Sequence, residues 1–184
     1  MAKQKSETWE WLKAIVIAVL LAGGIRYFIF APIVVDGQSM MPTLHDRDRM
    51  IVNKLSYKIG EPHRFDIIVF HAEEGKDYIK RVIGLPGDRI EYKDDTLYVN
   101  GKPYKEPYLD QYKKQVIDGP LTEPFTLEDI PGGQATVPKG YLFVMGDNRR
   151  FSKDSRHIGF IPMEKVVGKT NLVYWPLSDA RIIK

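Results

Sequence analysis

The sequence predicts a mostly β protein: a compact all-β domain of short antiparallel strands preceded by one N-terminal transmembrane helix. Three observations carry this. The run from Ala14 to Ile25 is continuously apolar or glycine, without the polar stripe a buried soluble helix would show. Beyond Pro32 the apolar residues fall into short segments rich in β-branched and aromatic side chains, each bounded by Gly, Pro, Asp or Asn. Those segments do not alternate with helical patterns, and no internal repeat runs through them.

The helix comes first. From Trp11 to Phe28 is roughly 27 Å at 1.5 Å per residue, close to the hydrocarbon thickness of a bilayer. Trp9 and Trp11 sit at one edge and Tyr27 at the other, as in an aromatic belt, and Arg26 is near enough to the far end to snorkel. Lys3, Lys5 and Lys13 precede the span, which keeps the N-terminus in the cytoplasm. The expected organisation is a cytoplasmic N-terminus over residues 1–13, an anchor over 14–31, and an extracytoplasmic β-rich domain over 32–184, a single-pass protein of the cell membrane. A charged start, an apolar centre and Ala22-Gly23-Gly24 also fit a cleaved secretory signal, but apolar residues resume past Arg26 and lengthen the segment beyond a usual signal core.

After Pro32, strands are predicted over Ile33–Val35, Met50–Val52, Ile67–Phe70, Tyr78–Ile83, Arg89–Tyr92, Leu97–Val99, Tyr141–Met145 and Val166–Tyr174. Pro86-Gly87-Asp88, Asp94-Asp95 and Asn100-Gly101 read as tight turns, the second closing a hairpin from Arg89 to Val99. The proline-punctuated stretch from Lys102 to Val137 has little period of either kind and reads as a surface excursion.

Composition excludes several classes. With 184 residues, 43% hydrophobic and 28% charged, the chain has the make-up of one globular body. The net charge of +3 comes from Lys and Arg scattered among acids, which gives no nucleic-acid footprint. The absence of cysteine removes disulfides, thiolate chemistry and Cys-based zinc sites. His-Glu-x-x-His and Gly-x-Ser-x-Gly are both missing, so neither zinc peptidase chemistry nor an α/β-hydrolase elbow has support. No cofactor and no metal are expected.

Ser39, in Gly37-Gln38-Ser39-Met40-Met41-Pro42-Thr43-Leu44, stands a few residues past the apolar segment, where an anchor meets water. A serine hydroxyl needs a base to become a nucleophile. His45, His63, His71 and His157 are isolated and read as structural or surface residues. Lys80, in a strand-like apolar run, is the other candidate. A lysine amine with an ordinary pKa leaves roughly one molecule in two thousand neutral at pH 7, so a lysine base must lie among apolar groups that lower its pKa by about three units, about 4 kcal/mol. From spacing alone, the adjacent Lys80 and Arg81 fit equally well a half-exposed strand on which one of the two points to solvent.

Three boxes in order decide between these readings. Ser39-Met40-Met41-Pro42-Thr43-Leu44, Tyr78-Ile79-Lys80-Arg81-Val82-Ile83-Gly84-Leu85-Pro86-Gly87-Asp88 and Val144-Met145-Gly146-Asp147-Asn148-Arg149-Arg150-Phe151-Ser152-Lys153-Asp154-Ser155-Arg156 closely resemble the boxes of bacterial type I signal peptidases, in the compact Gram-positive form. The resemblance continues to Gly168-Lys169 and so covers most of the chain. It implies a membrane-anchored Ser/Lys serine protease that cuts signal peptides, with small residues at the cleavage site, from exported preproteins. By the same resemblance Ser39 is the nucleophile, Lys80 the general base, and Met40 a wall of the substrate pocket. Ser152 bonds and orients the lysine amine, Asp154 and Arg156 form a bracing ion pair, and Arg81 and Asp147 give structural support.

One position departs from the Gram-negative members, which carry a serine two residues before the nucleophile as an oxyanion donor; here it is Gly37. The N–H of Ser39 can supply one donor, with a second from the N–H of Gly37 or Gln38, or from a water. Two alternatives of other classes stand beside this reading. A self-cleaving Ser/Lys regulator would need a scissile site and a DNA-binding region, neither of which is visible. A catalytically silent membrane-tethered β-domain that binds peptides or envelope components is disfavoured by the intact Ser39, Lys80 and Ser152.

Overall fold

The computed structural model describes residues 7–72 and 75–183, except for the side chains of residues 25, 27 and 58. Lys3 and Lys5, and the side chain of Tyr27, on which the expected orientation and belt partly rest, lie outside the described residues. In chain order the elements are α1 (Glu7–Phe28), β1 (Phe30–Val34), β2 (Arg49–Asn53), α2 (Ser56–Ile59), β3 (Ile67–His71), β4 (Asp77–Gly84), β5 (Ile90–Lys93) and β6 (Thr96–Val99). They continue with β7 (Lys102–Tyr104), α3 (Asp110–Gln115), β8 (Phe125–Thr126), β9 (Tyr141–Met145), α4 (Ser155–Ile158), β10 (Ile161–Pro162), β11 (Val166–Trp175) and β12 (Arg181–Ile182).

The mostly β prediction holds. Each of the eight predicted strands overlaps an observed one, and the strands form two antiparallel sheets. The larger sheet runs β1-β2-β11-β3-β4-β9-β10 with β12 on β11, and the smaller runs β7-β6-β5-β8. Turn chemistry fixes the register of the smaller sheet. Asp94 and Asp95 both adopt positive φ, as do Asn100 and Gly101, and each pair closes a two-residue loop, between Lys93 and Thr96 and between Val99 and Lys102.

The centre of the larger sheet, at β3, β4 and β9, is buried on both faces. On β9, Phe143 and Met145 join the core beneath the smaller sheet, while Leu142 and Val144 join a second cluster with Phe70 and Val82. A third cluster, Val35, Met40, Leu44, Met50, Ile67 and Val173, lies under the Ser39 segment. Apolar cover on both sides leaves strand-centre side chains no route to water. Lys80 is 4% exposed and Arg81 0%.

α1 extends about 33 Å at 1.5 Å per residue and starts seven residues before the expected anchor. It ends at Phe28, short of the expected end of the anchor at residue 31, and Pro32 is a residue of β1, tolerated because β1 is an edge strand. Leu12, Ile15, Val16, Ile17, Val19, Leu20 and Leu21 are all exposed along it. Among the described residues no helix is long and apolar enough to cross a membrane. Residues 25 and 27, inside the apolar stretch, are not among those whose side chains are described.

The 102–137 stretch differs from the surface excursion expected of it. β7 and β8 complete the smaller sheet, and Leu109, Leu121, Thr122, Leu127 and Glu106 are buried. The buried Arg149 guanidinium donates to Glu106 Oε1 at 2.5 Å and to the Tyr92 hydroxyl at 2.5 Å, and so ties this stretch to the box that follows it. Partners that far apart in sequence leave no periodic trace in it.

Candidate active site

Ser39 sits on a tight turn between β1 and β2, in which the Met41 N–H donates to Gln38 O at 3.1 Å and the Leu44 N–H to Met40 O at 3.0 Å. Buried Met40 and Leu44 anchor the turn in the core below. From above, Asn148 clamps it, donating from its backbone N–H to Ser39 O and from its side-chain amide to Gln38 O, both at 3.0 Å. With those carbonyls held, the N–H groups of Gln38 and Ser39 have no partner among the described residues. The Gly37 N–H, one of the oxyanion donors expected from the sequence, is instead taken by Asp46 Oδ1 at 2.9 Å.

β4 brings Lys80 to the serine. Pairing with β3 over Asp77–Arg81 and with β9 only from Arg81 onward fixes the strand as a rigid base, and Lys80 Nζ donates to Ser39 Oγ at 2.8 Å. Its second bond goes to Ile79 O at 3.0 Å, and the ammonium lies 5.2 Å from the centre of the Tyr78 ring. Burial lowers the Lys80 pKa from 10.5 to about 8, against the pull of the Asp154 and Asp147 carboxylates. A pocket of about 210 Å³ opens beside the pair, lined by Val34, Val35, Ser39, Met40, Ile79 and Lys80 among others.

Arg81 points the other way and is a brace. It donates to both Asp147 oxygens, at 2.9 and 2.7 Å, and to Phe65 O at 2.9 Å, and it lies over the Tyr108 ring. Thr43 Oγ1 donates to the same carboxylate at 2.5 Å, so the Arg81–Asp147 pair holds the far end of the serine turn. Asp154 is wholly buried and accepts from Arg156 Nε and Nη2, both at 2.9 Å, and from the Gly146 N–H at 3.0 Å. Burial acts to raise its pKa, but the Arg156 guanidinium more than offsets this and holds it below the ordinary value. Far from an exposed pair, it ties α4 to β9.

Ser152 behaves differently from expectation. Its hydroxyl is buried, makes no hydrogen bond to the Lys80 amine, whose two bonds go to Ser39 Oγ and Ile79 O, and lies by the Asp154 carboxylate, whose pKa it helps to lower. The residue that lets these groups approach is Gly146. A Cβ there would overlap Ser152 Oγ and Cβ and the Ser39 carbonyl oxygen. Gly146→Ala is therefore expected to push the Ser39 turn away from β4 and lower kcat/KM by at least about tenfold, since small misplacements of reacting groups cost that much. A wild-type kcat/KM in that variant would contradict the packing.

The four histidines stay clear of this centre. His71 pairs with Asp77, and His63 and His157 lie near Asp66 and Asp154. Among the described residues, His45, Asp48 and Asp179 bring possible metal ligands within 4.8 Å of one another, but the Arg181 guanidinium already donates to both carboxylates there. Sequence reasoning does not single out Asn148, Thr43 or Gly146, although all three stand in the quoted boxes. Glu106 offers no signal, being one of six acids in the aperiodic 102–137 stretch.

The serine, the buried lysine and the box that clamps them form one centre, and the sequence profile of the family described as signal peptidase, peptidase S26, matches residues 8–175. The chain belongs to the bacterial type I signal peptidases, serine peptidases of family S26. It is 54% identical over 182 residues to signal peptidase I of Bacillus caldolyticus, covering 97% of each chain. With signal peptidase IB of Staphylococcus aureus strain Mu50 it shares 43% identity over 178 residues, covering 95% of this chain and 93% of the relative. The crystal structure of a signal peptidase I from Enterococcus faecalis V583 superposes with a TM-score of 0.58 at 46% identity, covering 60% of this chain and 97% of that one. In this signal peptidase, each of the three boxes thus lies at the Ser39–Lys80 centre.

Proposed function

We propose that this signal peptidase removes signal peptides from exported preproteins at the outer face of the cytoplasmic membrane, with Ser39 as nucleophile and Lys80 as general base. The observation that carries the proposal is the 2.8 Å bond between Lys80 Nζ and Ser39 Oγ, made by a lysine whose burial brings its pKa to about 8. At pH 7 about one such amine in ten is neutral, against roughly one in two thousand for an unburied lysine. A substrate that excludes water raises that fraction further.

The chemistry then balances in two steps. Ser39 Oγ attacks the scissile carbonyl while its proton passes to the Lys80 amine. The intermediate collapses, the C–N bond breaks, the new ammonium returns the proton to the leaving amine, and an ester to Ser39 remains. Water attacks that ester, Lys80 again taking and returning a proton, and the signal peptide leaves as a carboxylate. The unpartnered N–H of Ser39 is positioned in sequence to receive the developing oxyanion, and with Gly37 engaged by Asp46, Gln38 is the remaining backbone donor of the two considered.

Substrate binding has a natural track. The edge of β4 over Asp77–Lys80 that faces away from β3 carries no paired strand among the described residues, so an extended peptide can add there and drop a small side chain into the pocket beside Ser39. Membrane anchoring is supported by the exposed aliphatic side chains along α1, which would bring enzyme and membrane-embedded substrate together at one depth. The test is a cleavage assay with the full-length protein recovered from membranes. Wild type is expected to stay with the membranes through an alkaline wash and to cut a preprotein at the end of its signal sequence, and Ser39→Ala to stay there and cut nothing. Release by the wash would remove the anchor, and cleavage by Ser39→Ala would remove the nucleophile.

A further inference from the structure

We propose that a groove on the far side of Ser39 from the pocket binds the substrate residues that follow the scissile bond, the first residues of the mature protein. The proposal rests on the peptidase reading and extends it to the half of the substrate that is not discarded.

The turn Gln38–Met41 separates two cavities that share no lining residue. Ser39 and Met40 face the pocket of about 210 Å³, while Gln38 and Met41 form one wall of a groove of about 530 Å³ whose other walls include Ile117, Asp118, Arg150 and Phe151. A peptide bond held extended for attack sends its two halves away from the nucleophile in opposite directions. The signal half enters from the bilayer, on the side of α1 and β1, and the pocket lined by Val34 and Val35 lies at the end of β1. The mature half leaves across Gln38 and Met41 into the groove, to which neither α1 nor β1 contributes a lining residue.

The groove is built to meet apolar side chains. Ile117 is 96% exposed, the most of any large apolar residue described, and Phe151 is 77% exposed. The loop that carries Ile117 is nevertheless braced. Arg150 donates to Asp118 Oδ1 at 2.7 Å and to Pro120 O at 2.9 Å, the Thr122 N–H donates to Asp95 at 3.0 Å, and Leu121 is buried beneath. An apolar side chain held in water on a braced loop keeps an unfavourable exposure that a ligand relieves. The fitting occupant is an extended segment with an aliphatic residue shortly after the cut, because the groove is continuous with the turn that carries the nucleophile.

The test compares two peptides with the same signal-derived residues, one ending a single residue after the cut and one continuing for about six. Wild type is expected to prefer the longer peptide by about tenfold in kcat/KM, a difference of the size that remote contacts contribute to the transition state. Ile117→Ser with Phe151→Ser should bring that preference below about twofold at an unchanged melting temperature, and Ile117→Ser alone, at a fully solvated position, should remove about half of it on a logarithmic scale. Ile117→Leu with Phe151→Leu should keep it. A preference undiminished in the serine variants, or absent from wild type, overturns the groove. The peptidase reading is judged separately, by the loss of cleavage of both peptides in Ser39→Ala; cleavage of either peptide by that variant overturns both readings.

Discussion

Lys80→Met is expected to abolish cleavage and, at neutral pH, to make the protein more stable. The loss of activity follows from removing the only base within reach of Ser39 Oγ among the described residues, and should be at least about 10⁴-fold in kcat, as when a nucleophile loses its base elsewhere. Lys80→Arg should fail equally, since a guanidinium has no neutral form in this range. The stability gain follows from the direction of the Lys80 pKa. Its folded value, about 8, lies below the unfolded value of 10.5, so holding the buried amine charged costs about 3 kcal/mol below pH 8, and the cost disappears as pH rises to 10.5. Methionine escapes that cost and forfeits two hydrogen bonds of about 1 kcal/mol each, leaving a net gain of about 1 kcal/mol at pH 7 that reverses above about pH 10. Urea unfolding of wild type and Lys80→Met at both pH values measures it. The same pKa predicts that wild-type kcat/KM climbs tenfold per pH unit below about 8 and levels above it. A variant that is less stable at pH 7, or a profile flat from pH 6 to 9, would contradict the charged, buried lysine.

Asp147→Ala is expected to destabilise the domain by about 3–5 kcal/mol, a large part of the 5–15 kcal/mol that holds a typical domain together. The carboxylate and Arg81 are both fully buried, and its removal strands a guanidinium without access to water and frees the Thr43 hydroxyl from its acceptor. Arg81→Ala leaves the mirror-image fault, a buried carboxylate, and should cost as much. Replacing both partners by apolar residues, as Arg81→Met with Asp147→Leu, should recover most of the stability, because no orphaned charge remains. Activity should not return with it, because Thr43 then has nothing to hold the far end of the serine turn. Chemical denaturation gives the first result and kcat/KM the second, and an Asp147→Ala protein as stable as wild type would exclude the account.

Parts of this molecule are legible in its sequence because their causes are local. Alternation and β-branching place the eight strands, and Asp94-Asp95 and Asn100-Gly101 place two hairpin turns, since a two-residue loop with both φ values positive selects those residues from its immediate geometry. Ser39 and Lys80 are legible as chemical candidates and, through the three boxes, as members of a resemblance. The 102–137 stretch is not legible, because what buries Glu106 and Leu121 is packing against Tyr92 and Arg149 rather than any pattern of their own. Nor does any motif record that the lysine's second bond goes to the carbonyl of its own neighbour, Ile79.

The sequence by itself determined the strand content, the apolar N-terminal segment and the residue types the chemistry needs, because each follows from neighbours within a few positions. Only the tertiary structure decided that Lys80 and Arg81, adjacent on one strand, have opposite jobs. The first is turned to Ser39, 41 residues away, its pKa lowered by burial, while the second is turned to Asp147, 66 residues away, and kept charged by it. Successive strand residues face opposite sides of a sheet, and here both sides are covered, so what each meets is set by distant chain that sequence spacing does not reveal.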